Sequence, residues 1–242
     1  MVVEIERELV ATHVAARASG DLTLVKCCLM SGVHGEVSSP AFAPEVKAES
    51  MEEAIPELDS MANSVDVPVG QARMIRLYLA LKGHVNSQYI AAVNFRDGRN
   101  IIRHLEAARY WMEKAAENGS AGAQNDLGVM YASGIGGAQD PEKAIFWYTK
   151  SVEGGNVTAK GNLGRNLAQG WGTKRNYFKA ARLLKESLMS DPYDAWDHLL
   201  LARCYEHGVG GRNGRRLAMH HYQEASDFGL AEARAALCRM KA

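Results

Sequence analysis

Apolar residues recur three and four positions apart along most of the chain, which is the period of a helix that buries one face. Residues 123–156 show the pattern most clearly, where Leu127, Met130 and Tyr131 form one such stripe. No segment alternates apolar and polar residues for long enough to indicate a sheet. The pattern therefore predicts an all-helical fold.

The helical pattern is organised as a repeat of 36 to 38 residues. An alanine is followed eleven positions later by a glycine at Ala72/Gly83, Ala108/Gly119, Ala144/Gly155 and Ala218/Gly229, while the remaining unit has Ala180/Asp191. A second series of glycines, ten residues before an alanine of the first, stands at Gly98, Gly134, Gly170 and Gly208. Glycine is favoured just past the end of a helix, so each unit is predicted to contain two helices.

The unit at 120–155 also marks where its second helix begins. Asp140 is suited to cap that helix, and Pro141 suits its first turn. A single helix pair cannot bury its own apolar face, so the units must stack on one another. The predicted fold is an all-α solenoid of helix-turn-helix units, with an N-terminal helical cap or appendage.

Charge divides the chain into three predicted parts, although its 28 basic and 28 acidic residues balance. Residues 1–35 are predicted to be a helical segment. Residues 36–69 carry one basic and eight acidic residues, which indicates an acidic linker or a degenerate repeat. Residues 70–242 carry 24 basic and 16 acidic residues. They are predicted to form the solenoid, with units at about 84–119, 120–155, 156–191 and 192–229 and a capping helix at 230–242.

Residues 123–156 closely resemble a Sel1-like repeat, a unit of the tetratricopeptide type. The family core reads A-x-x-x-L-G-x-x-Y-x-x-G, then K-A-x-x-W-Y and a closing glycine. This segment has Leu127-Gly128, Tyr131 and Gly134 at the matching places. Residues 159–191, 195–229 and, more loosely, 86–119 also fit. The resemblance implies that the first helices line a concave face and that the protein binds another protein there.

No catalytic residue, metal site or cofactor is predicted. The chain has no H-E-x-x-H, P-loop, G-x-S-x-G or C-x-x-C pattern. Its glycine-rich pieces at 134–137 and 208–211 follow helices and recur with the repeat, so they are interpreted as turns. Cys27 and Cys28 are adjacent and point apart on a helix, and Cys204 and Cys238 are expected to pack as small apolar residues.

The residues expected to contact a partner lie on first helices. The position two after the leucine of each unit holds Arg165, Arg203 and Arg239 in the last three units. The predicted partner-binding set is Tyr89, Arg96, Asn125, Arg165, Gln169, Trp196, Arg203, Glu206 and Arg239. The arginines admit two interpretations: they contact an acidic face of a partner, or they pair with neighbouring acids.

The predicted function is a non-enzymatic protein-binding module, either an adaptor or an immunity protein that neutralises a bacterial toxin. One alternative is a hydrolase-like enzyme of the same family, although no nucleophile–base pair is recognisable. Another is nucleic-acid binding through the basic solenoid, which is not favoured because the aromatic residues fall mainly at core positions. The N-terminus lacks the apolar core of a signal peptide, and no stretch is long enough to span a membrane, so a cytoplasmic protein is expected.

Overall fold

The computed structural model describes residues 56, 58–60, 62–64, 69–98 and 103–241, and these residues contain helices and turns but no strand. The helices are α1 (Val69–Leu81), α2 (Val85–Asp97), α3 (Leu105–Glu117), α4 (Ala121–Ser133), α5 (Pro141–Glu153), α6 (Val157–Gln169), α7 (Tyr177–Leu188), α8 (Ala195–Glu206), α9 (Gly214–Asp227) and α10 (Ala231–Lys241). The predicted all-α solenoid of paired helices is confirmed. The N-terminal segment at 1–35 and most of the acidic segment at 36–69 lie outside the described residues.

The helices belong to two compact units, the first ending at His104 and the second beginning at Leu105. In the first unit α1 and α2 pack against each other. The second unit contains α3 to α10 and holds the candidate functional site. Within it α4 pairs with α5, α6 with α7, and α8 with α9.

Helix ends fall where the glycines and caps predict them. The Asp140 side chain accepts a hydrogen bond from the backbone N–H of Lys143 at 3.0 Å, and Pro141 begins α5. Gly134 ends α4 in the left-handed region with φ +70°, and Gly155 follows α5 with φ +84°. These residues stop each helix after three to four turns, so the chain can reverse and pack the next helix alongside.

Small residues let the two helices of a unit approach closely. A Cβ at Gly128 of α4 would lie 2.6 Å from the ring of Tyr148 on α5, and one at Gly164 would lie 2.9 Å from Leu184. The leucine of each unit is buried at these contacts, with Leu127 and Leu201 fully inaccessible. The core of the second unit is therefore a row of tightly packed helix pairs.

The cysteine prediction is confirmed for Cys204 and wrong for Cys238. Cys204 is buried in α8, where it packs as a small apolar residue. Cys238 is exposed on α10. It occupies the position of Gly128 and Gly164, which face the second helix of their own units. No second helix follows α10 among the described residues, so nothing in them covers Cys238.

A histidine pair joins α8 to α9. The Nδ1 atoms of His198 and His221 are 3.0 Å apart, and His198 Nε2 donates to the backbone oxygen of Pro192 at 3.0 Å. In the neutral pair His198 Nδ1 must then accept a hydrogen bond from the N–H at His221 Nδ1. Burial lowers the pKa of His221 to about 4, with further lowering by His198, His220 and Lys185. The Tyr205 ring stacks on the imidazole ring of His221.

We expect acid to destabilise the second unit through His221. Its pKa is lower in the folded chain than in the unfolded one, so the stabilisation is complete above about pH 6.5 and is lost as the pH falls towards 4. We expect a loss of about 2 kcal/mol, less than the full shift implies because the ring is only partly buried. Urea unfolding from pH 7 to 4 measures it. His221→Phe should flatten this part of the profile, whereas His220→Ala, which removes the exposed neighbour, should not. If His221→Phe and His220→Ala have the same dependence of stability on pH, His221 is not the group that destabilises the fold in acid.

Candidate protein-binding face

The first helices of the second unit form one continuous surface. α6 and α8 contact each other more extensively than the second helices α5 and α7 do, so the first helices lie closer together at this point of the stack. We call the surface of α4, α6, α8 and α10 that carries Asn125, Arg165, Trp196, Arg203 and Arg239 the inner face. Asn162 Nδ2 on α6 donates a hydrogen bond to Asn125 Oδ1 on α4 at 2.9 Å, which bridges one unit directly to the next. Asn125 is buried by this arrangement.

Arg165 clamps α6 to the start of α8. Its guanidinium binds Asp194 through Nη2 and Asp197 through Nε, the latter at 2.6 Å. Asp194 also caps α8 by accepting from the backbone N–H groups of Trp196 and Asp197 at 3.0 Å each. Asp197 is fully buried. Burial raises the pKa of the Asp197 carboxyl, and Arg165 together with the Ser187 hydroxyl opposes that rise. Arg165 is therefore the charge partner that this buried carboxylate requires.

Arg203 and Arg239 also form ion pairs between units. Arg203 pairs with an acid of the following unit, and Arg239 pairs with an acid of the preceding unit. Arg203 Nη2 on α8 lies 2.9 Å from Glu232 of α10, and Arg239 Nη2 on α10 lies 3.0 Å from Glu206 of α8. The Tyr222 hydroxyl also donates to Glu206. All three arginines of the predicted stripe thus have a carboxylate of a neighbouring unit beside them. The role of these arginines in binding a partner remains a prediction.

Two further predicted residues, Trp196 and Gln169, are exposed on first helices. Trp196, in the first turn of α8, keeps 49% of its surface accessible. It lies seven positions before Arg203, so the two share one stripe of the helix. Gln169 is exposed at the C-terminal end of α6. The structure thus places an open aromatic side chain among polar groups on the inner face.

The other two predicted residues lie on α2, in the first unit. Tyr89 is half-buried, and Arg96 pairs with the adjacent Asp97 at 2.7 Å. The prediction that they share one partner surface with the later residues is not tested.

Sequence analysis offered pairing with neighbouring acids as one interpretation of the arginines but did not identify which acids hold them. The signal was present as a constant spacing, because Arg165 and Asp194 are 29 residues apart and so are Arg203 and Glu232. An arginine late in one first helix and an acid early in the next recur at the repeat period. Such a recurrence predicts an ion pair between units as readily as a partner-binding stripe.

The residues that the structure describes contain neither a cluster of metal-binding side chains nor a membrane-spanning helix. No group of three or more His, Cys, Asp or Glu side chains there is arranged to hold a metal ion. Among the same residues, no helix combines the length and the apolar character that crossing a membrane requires.

Known proteins share the repeat sequence and the helical architecture of this chain. The Sel1 repeat model matches residues 85–120, 121–156, 159–191 and 198–229, together more than half of the chain. No curated protein matches. Solved structures are also similar, and one of them is a protective antigen present in uropathogenic Escherichia coli strains that displays an SLR fold. It has a TM-score of 0.62 and 26% identity, and the match covers 77% of this chain but 41% of that one.

Another similar structure is a Sel1 repeat protein from Oxalobacter formigenes. Its TM-score is 0.56 and its identity 25%, with 68% of each chain covered. Proteins built from these repeats generally mediate protein–protein interaction and are mostly non-catalytic scaffolds. Four consecutive matched repeats and the stacked helix pairs show that this chain belongs to the Sel1 repeat family.

Proposed function

We propose that this chain is a non-enzymatic module that binds a partner protein on its inner face. In the cytoplasm it would serve as an adaptor or as an immunity protein that neutralises a bacterial toxin. The observation that carries the proposal is the exposed Trp196, which stands on a first helix beside residues fixed by ion pairs. Tryptophan and arginine are enriched among the residues that dominate binding energy at protein interfaces.

The ion pairs support this role by fixing the surface in advance. Arg165, Arg203 and Arg239 each tie one unit to its neighbour, so the inner face is organised before a partner arrives. A preorganised surface loses less conformational entropy on binding than a mobile one does. Arg239 keeps 69% of its side chain exposed and Arg203 keeps 44%, so both guanidinium groups remain accessible to an acidic face of a partner.

We expect Trp196→Ala to weaken partner binding by about 30-fold, or roughly 2 kcal/mol, because a large apolar contact is lost. The matched control is Phe146→Ala, which removes an aromatic side chain of similar exposure, 53%, from the second helix α5. Capture from lysate of the source cell identifies the partner, and titration calorimetry with the purified partner measures both variants. Inhibition of a captured toxin by the wild type, but not by Trp196→Ala, would separate the immunity role from that of an adaptor.

Two outcomes of this experiment would contradict the proposal. If Trp196→Ala and Phe146→Ala bind the partner equally well, the inner face is not the binding surface. If the folded wild type captures no stoichiometric protein, the protein-binding role itself fails.

A further inference from the structure

The later turns of the second unit separate charge onto two edges. Turns that join a second helix to the next first helix carry acids, at Glu117, Glu153, Asp191, Asp194 and Asp227. The turns at 170–178 and 207–216, which join a first helix to its second helix, contain no acidic residue, whereas the corresponding turn before α5 contains Asp140 and no cation. They carry Lys174, Arg175, Arg212, Arg215 and Arg216, all exposed, and Lys241 is exposed at the end of α10. We call these six cations the turn edge.

Contacts between successive turns show that the turn edge is continuous. The Tyr177 ring at the start of α7 stacks on His207 at the end of α8, with ring centroids 4.3 Å apart. Arg175 donates to the Tyr177 hydroxyl at 3.3 Å. Arg215 Nη2 donates to the backbone oxygen of Met240 at 2.5 Å, which brings the end of α10 beside the turn before α9. The cations of three successive units therefore lie along one side of the second unit.

The turn edge differs from the inner face in how its charge is balanced. Each inner-face arginine has a carboxylate of a neighbouring unit beside it. Among the described residues, no turn-edge cation has a carboxylate within 4 Å, and Arg175 and Arg215 contact only uncharged oxygens. A carboxylate that approached the inner face would compete with an existing ion pair. At the turn edge it meets cations with no such partner.

We propose that the turn edge is a second docking surface, which binds an extended acidic segment of a partner protein. Neighbouring helices pack about 8–10 Å apart, so successive turns lie on the order of 10 Å apart, which about three extended residues span. A segment with acids at intervals of a few residues can therefore pair with each turn in succession. A single-stranded nucleic acid needs open aromatic rings to stack its bases. The Tyr177 ring is covered by His207, but Phe178 in the same turn is 70% exposed, so a single-stranded nucleic acid is the competing occupant that the test must exclude.

The test uses a fluorescein-labelled peptide of about twelve residues, rich in glutamate, which is long enough to span three turns when extended. Anisotropy measures its binding to the full chain at an ionic strength of about 0.1 M, where the Debye length is about 10 Å. The triple variant Arg212→Glu/Arg215→Glu/Arg216→Glu should weaken binding by about tenfold or more. Lys114→Glu/Lys150→Glu/Lys185→Glu makes the same change in net charge in the last turns of the second helices, at their opposite ends, and should change binding by less than about twofold.

Each other outcome overturns the proposal in a distinct way. Equal weakening by both triple variants would mean that only net charge matters. Tighter binding of an oligothymidine of equal charge, lost with the turn-edge variant, would assign the edge to nucleic acid. Absence of peptide binding, with both variants folded by circular dichroism, would remove the surface altogether. Trp196→Ala should still bind the peptide, so failure of the turn-edge proposal is distinguishable from failure of the inner-face proposal. If Trp196→Ala no longer binds the peptide, the acidic segment binds the inner face instead.

Discussion

Arg165→Met is expected to lower the free energy of unfolding by about 4 kcal/mol. The substitution keeps an unbranched apolar stem but leaves the fully buried Asp197 carboxylate without its charge partner. Removing one member of a buried ion pair is costly because the remaining charge cannot be solvated. Asp194 loses the same partner but keeps its two backbone N–H donors. Urea unfolding followed by circular dichroism measures the change.

Arg203→Met provides the matched control for this prediction. It is the same substitution at the same position one unit later, but the ion pair with Glu232 is exposed on both sides. An exposed pair contributes at most about 1 kcal/mol, so this variant should unfold close to the wild type. Adding Asp197→Asn to Arg165→Met should restore much of the loss, because the uncompensated charge is removed. Equal, small losses in Arg165→Met and Arg203→Met would show that the Arg165 clamp does not stabilise the fold.

The Arg165→Met variant also carries a pH signature. Burial raises the pKa of the Asp197 carboxyl in the folded chain above its value in the unfolded chain. The folded state therefore binds this proton more readily, and the destabilisation should shrink as the pH falls through the folded pKa. The comparison is made against the wild type at each pH, since His221 acts in the opposite direction over part of the same range.

Gly172→Ala is expected to cost about 3 kcal/mol of unfolding free energy, the second largest effect. Gly172 has φ +71° in the turn between α6 and α7, where an L-residue is strained. A Cβ there would also lie 2.2 Å from the backbone oxygen of Pro141, the first residue of α5. Backbone cannot move aside as a flexible side chain does, so the turn must shift away from the preceding unit. Thermal and urea unfolding measure the loss.

Gly155→Ala separates the two causes of the Gly172 effect. Gly155 has a similar φ, +84°, but a Cβ there would meet nothing within 4 Å. Its replacement should therefore cost only the backbone strain, about 1–2 kcal/mol. If the two variants are equally stable, the packing of this turn against α5 contributes nothing.

The fold was predictable because its determinants are local and repeated. Gly134 and Gly155 end their helices in the conformation that glycine favours, and Asp140 and Pro141 begin α5 as expected. Gly128 recurs where helices must approach closely, which its contact with Tyr148 explains. Each signal lies within one unit and recurs in the next, so it can be recognised without knowledge of long-range contacts.

The candidate site was less predictable because its decisive contacts cross between units. The arginine series was recognised, but its side chains were not traced to Asp194, Asp197 and Glu232 about thirty residues later. Cys238 is exposed on α10, although Gly128 and Gly164 at the same position of earlier units each face a second helix. Such features depend on which side chains of neighbouring units come into contact, and helical periodicity alone does not determine those contacts.

Amide hydrogen exchange of the chain with and without its purified partner tests the central claim most directly. If the partner binds the inner face, exchange should slow on α6, α8 and α10 around Trp196, while the outer helices α5 and α7 keep their free-state rates. Slowed exchange confined to the outer helices, with α6, α8 and α10 unchanged, would contradict the account.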